Sequence, residues 1–470
     1  MESRSLTYIA AGCGGRLLGG NPGAVATGVC IDSRKVRAGD VFVALKGDRF
    51  DAHDFLQEVS GVAAAVVIEE GRGERVREGC ARIEVPNPRE ALGRLGAVYR
   101  QDFAVPLFVV AGSNGKTTTK EILATVLRSK FATLSSKESF NNDVGVPWTL
   151  LQLGESHQQA VVEVGTNHPG ELAPLVRMAA PRYGVLTSIG SEHLEFFKDL
   201  DGVAREEGML AELLPASGAL FLNGDSEWSA RIAARSTAPV VLAGLEDGNQ
   251  WRAHRIRVDG KGVYFTVECP LAEYRGEYRI NLLGRHQAAN AVLAVAAAAH
   301  VGLSKAEIRT GLEAVQAPRL RLQIWESPGG VRVLEDVYNA NLDSMKVALE
   351  TLNSLPCKGR RIAVLGDMAE LGQASEGAHR EVGRLAARLG VGQLFAVGSR
   401  AAEIAHGARE EGLGRVLELS EIESAAVAIK GFVKSGDLVL VKASRASRFE
   451  RISMALRGLE GEKGEGCSTI

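Results

Sequence analysis

The residues with the clearest chemical purpose lie in VVAGSNGKTTTKEILATVL, residues 109–127. An apolar run leads into a glycine-rich turn, then Lys116 and Thr117. A stretch follows in which Ile122, Leu123, Val126 and Leu127 share one helical face. Gly112 and Gly115 let backbone N–H groups approach a polyphosphate closely, and a helix N-terminus adds its positive end. Lys116 has the reach for β- and γ-phosphates, and Thr117 has a hydroxyl suited to Mg²⁺. Val110 stands where the longer phosphate-loop motif has its first glycine, so this is the tighter G-x-x-G-K-T form. Without its context the motif reduces to a glycine-rich turn with a surface lysine. The strand–loop–helix pattern favours the phosphate site.

Two more residues point to the same edge. Glu163 interrupts the apolar strand pattern AVVEVG, residues 160–165. A carboxylate there is costly to bury without a cation or donors. At a strand end it faces either the phosphate loop, as a Mg²⁺ ligand or water-linked partner, or solvent. His193 follows another strand-like run, YGVLTSIG at 183–190. Alone it reads as a structural histidine; beside Glu163 and the loop it reads as a metal ligand.

The elements that must position these residues alternate β-like runs with helical stretches, which makes the fold class α/β. A chain of 470 residues is too long for one ordinary core. Three domains are expected. The first, smaller α/β domain, 1–104, carries VFVAL (41–45) and AAAVVIEE (63–70). The second, 105–317, begins with LFVVAG (107–112) and is a central, P-loop ATPase-like parallel sheet. The third, 318–470, holds RIAVLGD (361–367), LFAVGS (394–399) and DLVLVKAS (437–444), a Rossmann-like rhythm. Hinges are expected near residues 105 and 317, and the last ten residues read as a frayed tail.

Composition narrows the function. With 55 basic and 57 acidic residues, a general nucleic-acid-binding role has no support. None of the six cysteines forms a C-x-x-C pair, which argues against a zinc site or disulfide framework and for free thiols in a reducing compartment. The longest apolar run, from Ala291 to Val301, is too short to span a membrane, and the N-terminus reads as lacking a signal peptide. A cytoplasmic enzyme is expected.

Taken together, the motifs resemble the Mur ligase family over nearly the whole chain, and within it the branch that adds a dipeptide. The segment IDSRKVRAGDVFVALKGDRFDAHDF (31–55) looks like the family's uridine-nucleotide segment, with Ser33 and Arg34 as substrate residues beside Asp32. AGSNGKTTT is similar to its ATP loop, which adds Ser113, Asn114 and Thr118 to Gly112, Gly115, Lys116 and Thr117. FNNDVGVPWTLL (140–151) looks like its muramoyl-substrate segment, with Asn141 and Asn142. VEVGTNHPGEL and SEHLEFF carry Glu163 and His193 onto the family's metal-linked positions. RHQAANAVLA (285–294) resembles the adenine-contacting motif, with Asn290 kept and Gln287 where Asn is usual.

In the third part, LRLQIWE (320–326) makes Arg321 the nucleotide-reaching arginine, although Leu320 stands at a frequent glycine. EDVYNANLDSM (335–345) is similar to the dipeptide-adding branch, keeping Asp336, Tyr338, Asn339 and Asn341, with Leu342 in place of Pro; the resemblance makes Asp336 an ATP-binding residue and Asn339 and Asn341 substrate residues. VLVKASR (439–445) gives Lys442, Ser444 and Arg445 as residues for the incoming peptide and acyl group. One departure stands out. Relatives carry a lysine, modified to a carbamate, fourteen residues after the metal histidine, and here that position is Glu207. A carboxylate supplies the same charge without CO₂ chemistry, so Glu207 is expected to replace the carbamate as a metal ligand.

The resemblance implies an ATP- and Mg²⁺-dependent ligase of peptidoglycan precursor synthesis. A UDP-muramoyl tripeptide would be activated as an acyl phosphate and joined to D-alanyl-D-alanine. Lys116, Glu163 and His193 would be catalytic, and the chain a monomer. The rival readings are a sister ligase adding one amino acid, of the third-residue or folylpolyglutamate type, and a P-loop binding ATPase.

Overall fold

A computed structural model describes residues 1–47 and 50–459. The tail at 461–470, with Cys467, lies outside the described residues. Three sheets account for the strands that matter here. The first joins Arg16–Leu18, Ala81–Val85, Ala65–Glu69, Asp40–Val43 and Gly28–Cys30, parallel except for the antiparallel edge Arg16–Leu18. The third runs Gln323–Glu326, Arg332–Asp336, Leu438–Lys442, Arg361–Leu365, Gln393–Val397, Val416–Leu419, again with one antiparallel edge.

The central sheet has nine strands. Leu107–Ala111, the strand feeding the phosphate loop, lies between Gln159–Glu163 on one side and Tyr183–Leu186 on the other, both parallel to it. The chain first winds one way, through Thr133–Ser135, and then reverses across Leu107–Ala111. A crevice therefore opens beyond the carboxyl ends of these strands, where open α/β sheets bind ligands. The four strand residues Leu107–Val110 are wholly buried, as a strand covered by helices on both faces must be. The helix Lys116–Leu127 buries Ile122, Leu123, Val126 and Leu127 against this sheet, the face its periodicity marks.

One part of the sheet was not legible in advance. Trp251–Asp259, Gly262–Glu268 and Gly276–Ile280 add an antiparallel extension to the parallel sheet. Burial alternates in Gly262–Glu268, which has one face on the core and one turned outward. The apolar run from Ala291 sits in the helix Gln287–His300, buried along nearly its whole length. It is a core helix, and no helix among the described residues is long and apolar enough to cross a membrane.

The first and central sheets share an unbroken apolar core that includes Ile9, Val67, Leu95, Leu107, Val162 and Leu222. The connection near residue 105 is stapled to it. The Arg100 guanidinium donates to the carbonyls of Phe103 (2.6 Å), Val105 (3.0 Å) and Ala179 (3.0 Å). The connection where a hinge is expected is thus a hydrogen-bonded corner. Near residue 317 the backbone is strained instead: Leu320 and Leu322 have φ of 61° and 44°. That conformation favours glycine, which accounts for the odd fit of Leu320 to its motif.

The helices Pro88–Gln101 and Gly145–Leu150 cross where Gly96 meets Pro147. A Cβ on Gly96 would lie 2.6 Å from the Pro147 Cβ and 2.8 Å from its Cα. Helix propensity alone predicts that Gly96→Ala stabilises by about 1 kcal/mol. The crossing predicts the reverse, a loss of about 1–3 kcal/mol from overpacking. A lowered denaturation midpoint on chemical unfolding is the expected result.

Candidate active site

The phosphate loop is clamped from the strand end beside it. Ser113 N donates to the Ser188 carbonyl (2.8 Å), and Asn114 N to Ser188 Oγ (2.9 Å). Thr187 Oγ1 donates to the Asn114 carbonyl at 2.6 Å, and Ser113 Oγ accepts from Gly190 N at 2.9 Å. Gly112 and Gly115 have φ of 117° and 84°, which the turn requires. A side chain at either would strike neighbours: Thr187 and Ser188 for Gly112, Asn290 for Gly115. Asn290 therefore stands directly against the loop, its Nδ2 held by Gln287 Oε1 at 3.0 Å. No side chain caps the helix Lys116–Leu127, so its first amides, including that of Thr118, are open to an anion.

Carboxylates surround Lys116. Its Nζ lies 3.2 Å from Glu192 Oε2 and 3.2 Å from the Ser113 carbonyl. Burial works against its charge, but Glu192, Glu207 and Glu163 outweigh it and hold the pKa above the usual lysine value. Thr117 Oγ1 donates to Glu163 Oε1 (3.1 Å), which also accepts from Asn141 Nδ2 (2.8 Å). Glu207 is wholly buried, and its Oε2 accepts from Gly112 N at 2.7 Å. Burial pushes its pKa up to about 8 against the pull of Lys116. Glu163 Oε2 and Glu207 Oε1 are buried with no hydrogen-bond partner.

The other expected residues fall as follows. His193 has φ of 50° and pairs through Nδ1 with Glu370 of the third sheet's loops. It does not meet the two carboxylates directly, and no group of three or more His, Cys, Asp or Glu among the described residues forms a ready metal set. Asp336 and Lys442 end adjacent parallel strands, opposite each other in register, and pair at 2.6 Å. Lys442 also donates to the Asn339 carbonyl (3.0 Å), so it braces the inner edge of this sheet. Ser444 Oγ accepts from Ala369 N (2.9 Å), and Arg445 pairs with Glu450 (3.3 Å). Arg321 lies over the Tyr338 ring, 4.3 Å from its centroid. Asn142 Oδ1 accepts from Gly145 N (2.8 Å) and closes the turn into the next helix. Arg34 folds onto Asp32 (2.9 Å), and in this segment Asp32, Lys35 and Arg37 line the cleft whereas Ser33 and Arg34 do not.

Sequence reasoning missed four residues. Glu192 sits beside His193, and its position in S-E-H was the available signal. Asp343 accepts from Ser191 N at 2.9 Å, and Glu370 reaches His193. Glu206, next to Glu207, is singled out by no motif. Asp343 and Glu370 touch the loop region only because the third sheet folds over it, as does Asn341, whose Nδ2 donates to Asn114 Oδ1 at 2.9 Å. Together these surfaces enclose one cleft of about 1460 Å³, walled by all three sheets' loops.

Comparison with known proteins decides the family. Models described as Mur ligase family catalytic domain, Mur ligase middle domain, and Mur ligase glutamate ligase domain match residues 25–100, 110–298 and 320–445. A UDP-N-acetylmuramoyl-tripeptide–D-alanyl-D-alanine ligase of Escherichia coli is 34% identical over 91% of this chain and 93% of its own. The chain belongs to the Mur ligase family. Among solved Mur ligases, MurF from Acinetobacter baumannii superposes with a TM-score of 0.87 at 29% identity, covering 97% of this chain and 99% of that one. MurF from Thermotoga maritima, in complex with ADP, gives 0.77 at 25% identity, covering 92% and 97%. This Mur ligase is an ATP-dependent ligase of three α/β domains.

Asn341 both caps the helix Leu342–Ser354, accepting from Ser344 N at 2.8 Å, and holds the phosphate loop. Asn341→Ala loses a cap and a hydrogen bond, each worth about 1 kcal/mol. The expected result is roughly tenfold weaker binding of a non-hydrolysable ATP analogue by calorimetry.

Proposed function

We propose that this enzyme joins D-alanyl-D-alanine to a UDP-N-acetylmuramoyl-tripeptide, with ATP hydrolysis, in cytoplasmic peptidoglycan precursor synthesis. The observation that carries the reading is the single cleft. It is walled at once by the phosphate loop, by Asp32 and Lys35 of the first part, and by Arg321, Asn339 and Arg445 of the third. Three substrates need three converging walls, and a binding ATPase needs only the first.

A peptide carboxylate is a poor electrophile, and phosphorylation by ATP supplies a leaving group. The transferring phosphoryl group needs positioning and charge neutralisation above all. Lys116 leaves Glu192 and the Ser113 carbonyl for the phosphates, while the amides at the start of its helix receive their oxygens. Asn290 and Arg321 flank the rest of the nucleotide. The dipeptide amine then attacks the acyl phosphate beside Asn339 and Arg445, and phosphate departs. The Asn341 and Asp343 contacts keep the third wall closed, which excludes water from the acyl phosphate.

The residues at hand fit Mg²⁺. The two partnerless buried oxygens, on Glu163 and Glu207, are hard anionic donors beside the loop. Thr117 and Glu163 would hold one ion, and Glu207 with His193 a second once Glu370 yields the ring. When bound, Mg²⁺ would supply positive charge against the developing negative charge of the transferring phosphoryl group.

The test is ADP formation with ATP, UDP-muramoyl tripeptide and either D-Ala-D-Ala or single amino acids. Turnover is expected only with the dipeptide. Preference for a single amino acid would shift the reading to a sister ligase, and acceptor-independent ADP release to a binding ATPase. For Glu207, Glu207→Ala is expected to lose about a hundredfold or more in kcat/KM. Glu207→Lys should recover activity with added bicarbonate, whereas the native enzyme ignores it. Full activity in Glu207→Ala would remove it from the metal set.

A further inference from the structure

The helix Leu200–Glu207 ends in two adjacent carboxylates, both buried. Nothing about a helix C-terminus favours this. The helix dipole is negative there, the two charges repel, and each is taken out of water. Their partners offset the cost. Successive helix residues point about 100° apart, so the two side chains diverge. Glu207 accepts the amide of Gly112 in the phosphate loop. Glu206 turns the other way and accepts two amides, Gly170 N at Oε2 and Leu172 N at Oε1, each at 2.9 Å.

Leu172 N opens the helix Leu172–Ala179, which has no side-chain cap of its own, and Gly170 N lies in the turn just before it. Its neighbour Glu171 is occupied within the preceding loop, accepting from Asn167 N (2.8 Å) and His168 N (3.1 Å). Glu206 thus satisfies, from a distant helix, one of the free amides at this helix start and one in the turn that leads into it. The loop it fastens follows Glu163 directly and lines the cleft through Thr166, Asn167, Gly170 and Glu171. The loop's first turn is also locked to the muramoyl-substrate segment: Gly165 N donates to the Asn141 carbonyl at 3.0 Å.

We propose that Glu206 is a positioning residue for the muramoyl-peptide substrate, and that the Glu206–Glu207 pair ties the substrate loop and the phosphate loop to one helix end. The proposal rests on the ligase reading above for the identity of that substrate. Glu206 touches no reacting group. It acts through the loop 166–171, as Glu207 acts at the phosphate loop. The pair gives neighbouring residues separable effects on different substrates.

The test combines amide exchange with substrate kinetics. In Glu206→Ala, hydrogen–deuterium exchange should speed up in peptides covering 166–172 and stay slow over 109–118, with Glu207→Ala giving the reverse pattern. The KM for UDP-muramoyl tripeptide, and its Kd by calorimetry without nucleotide, should rise about tenfold in Glu206→Ala while the KM for ATP moves less than about twofold. Glu206→Gln keeps the length and one carbonyl acceptor, so it should fall between, and it reads the same quantities if the alanine variant folds poorly. Unchanged exchange over 166–172, or equal rises in both KM values, would overturn the proposal. A native enzyme that exchanges as expected but does not ligate the dipeptide would count against the ligase reading alone.

Discussion

One ammonium among three buried carboxylates governs this structure. Lys116 faces Glu192, Glu207 and Glu163 in a site largely closed to water. Buried charges of like sign are costly, and a single lysine cannot balance three acids. Glu207 shows the strain, its carboxyl pushed up to about 8 by burial. Such a site is stabilised by further positive charge, and its partnerless oxygens on Glu163 and Glu207 face that need.

The fold holds this imbalance in place by spending backbone rather than side-chain freedom. The phosphate loop is fastened at Ser113 and Asn114 by residues 187–190, at Gly112 by Glu207, and at Asn114 by Asn341 from the third sheet. Each partner sits at the carboxyl end of a parallel strand or in a helix leaving it, which is where a doubly wound sheet gathers its loops. The first and central sheets share one core, and Arg100 hydrogen-bonds the connection between them. The third sheet reaches the site through polar contacts at its inner edge. The strained stretch at Leu320 and Leu322 is the connection that lets it do so.

Much of the site could be read before the fold was known. The phosphate loop declared itself because its requirements are local: glycines for positive φ, a lysine and a threonine at fixed offsets, and a helix after them. Leu320 was marked as out of place, and its left-handed φ gives the reason. Other roles could not be read locally. Glu192 is one residue from His193, yet only the fold brings it to Lys116. His193 carries a metal-type sequence context, but the third sheet supplies Glu370 as its present partner. Arg34 matched a substrate motif, and in the folded turn its guanidinium pairs with Asp32. The antiparallel extension at 251–280 escaped notice because short alternating runs carry no mark of which sheet they will join.

Glu206 and Glu207 draw the boundary most sharply. From sequence they are two acids at the end of a helix, and spacing from His193 alone distinguished them. The chain by itself determined the α/β class, the phosphate loop, and the charge available at position 207. It could not determine which carboxylate faces which loop. That choice depends on the direction of each side chain relative to loop and helix-start amides 34 to 95 residues earlier, set by how the helix packs on the sheet. Local backbone preferences are fixed by neighbours in sequence. The balance of buried charge is fixed by neighbours in space, and only the tertiary fold selects those.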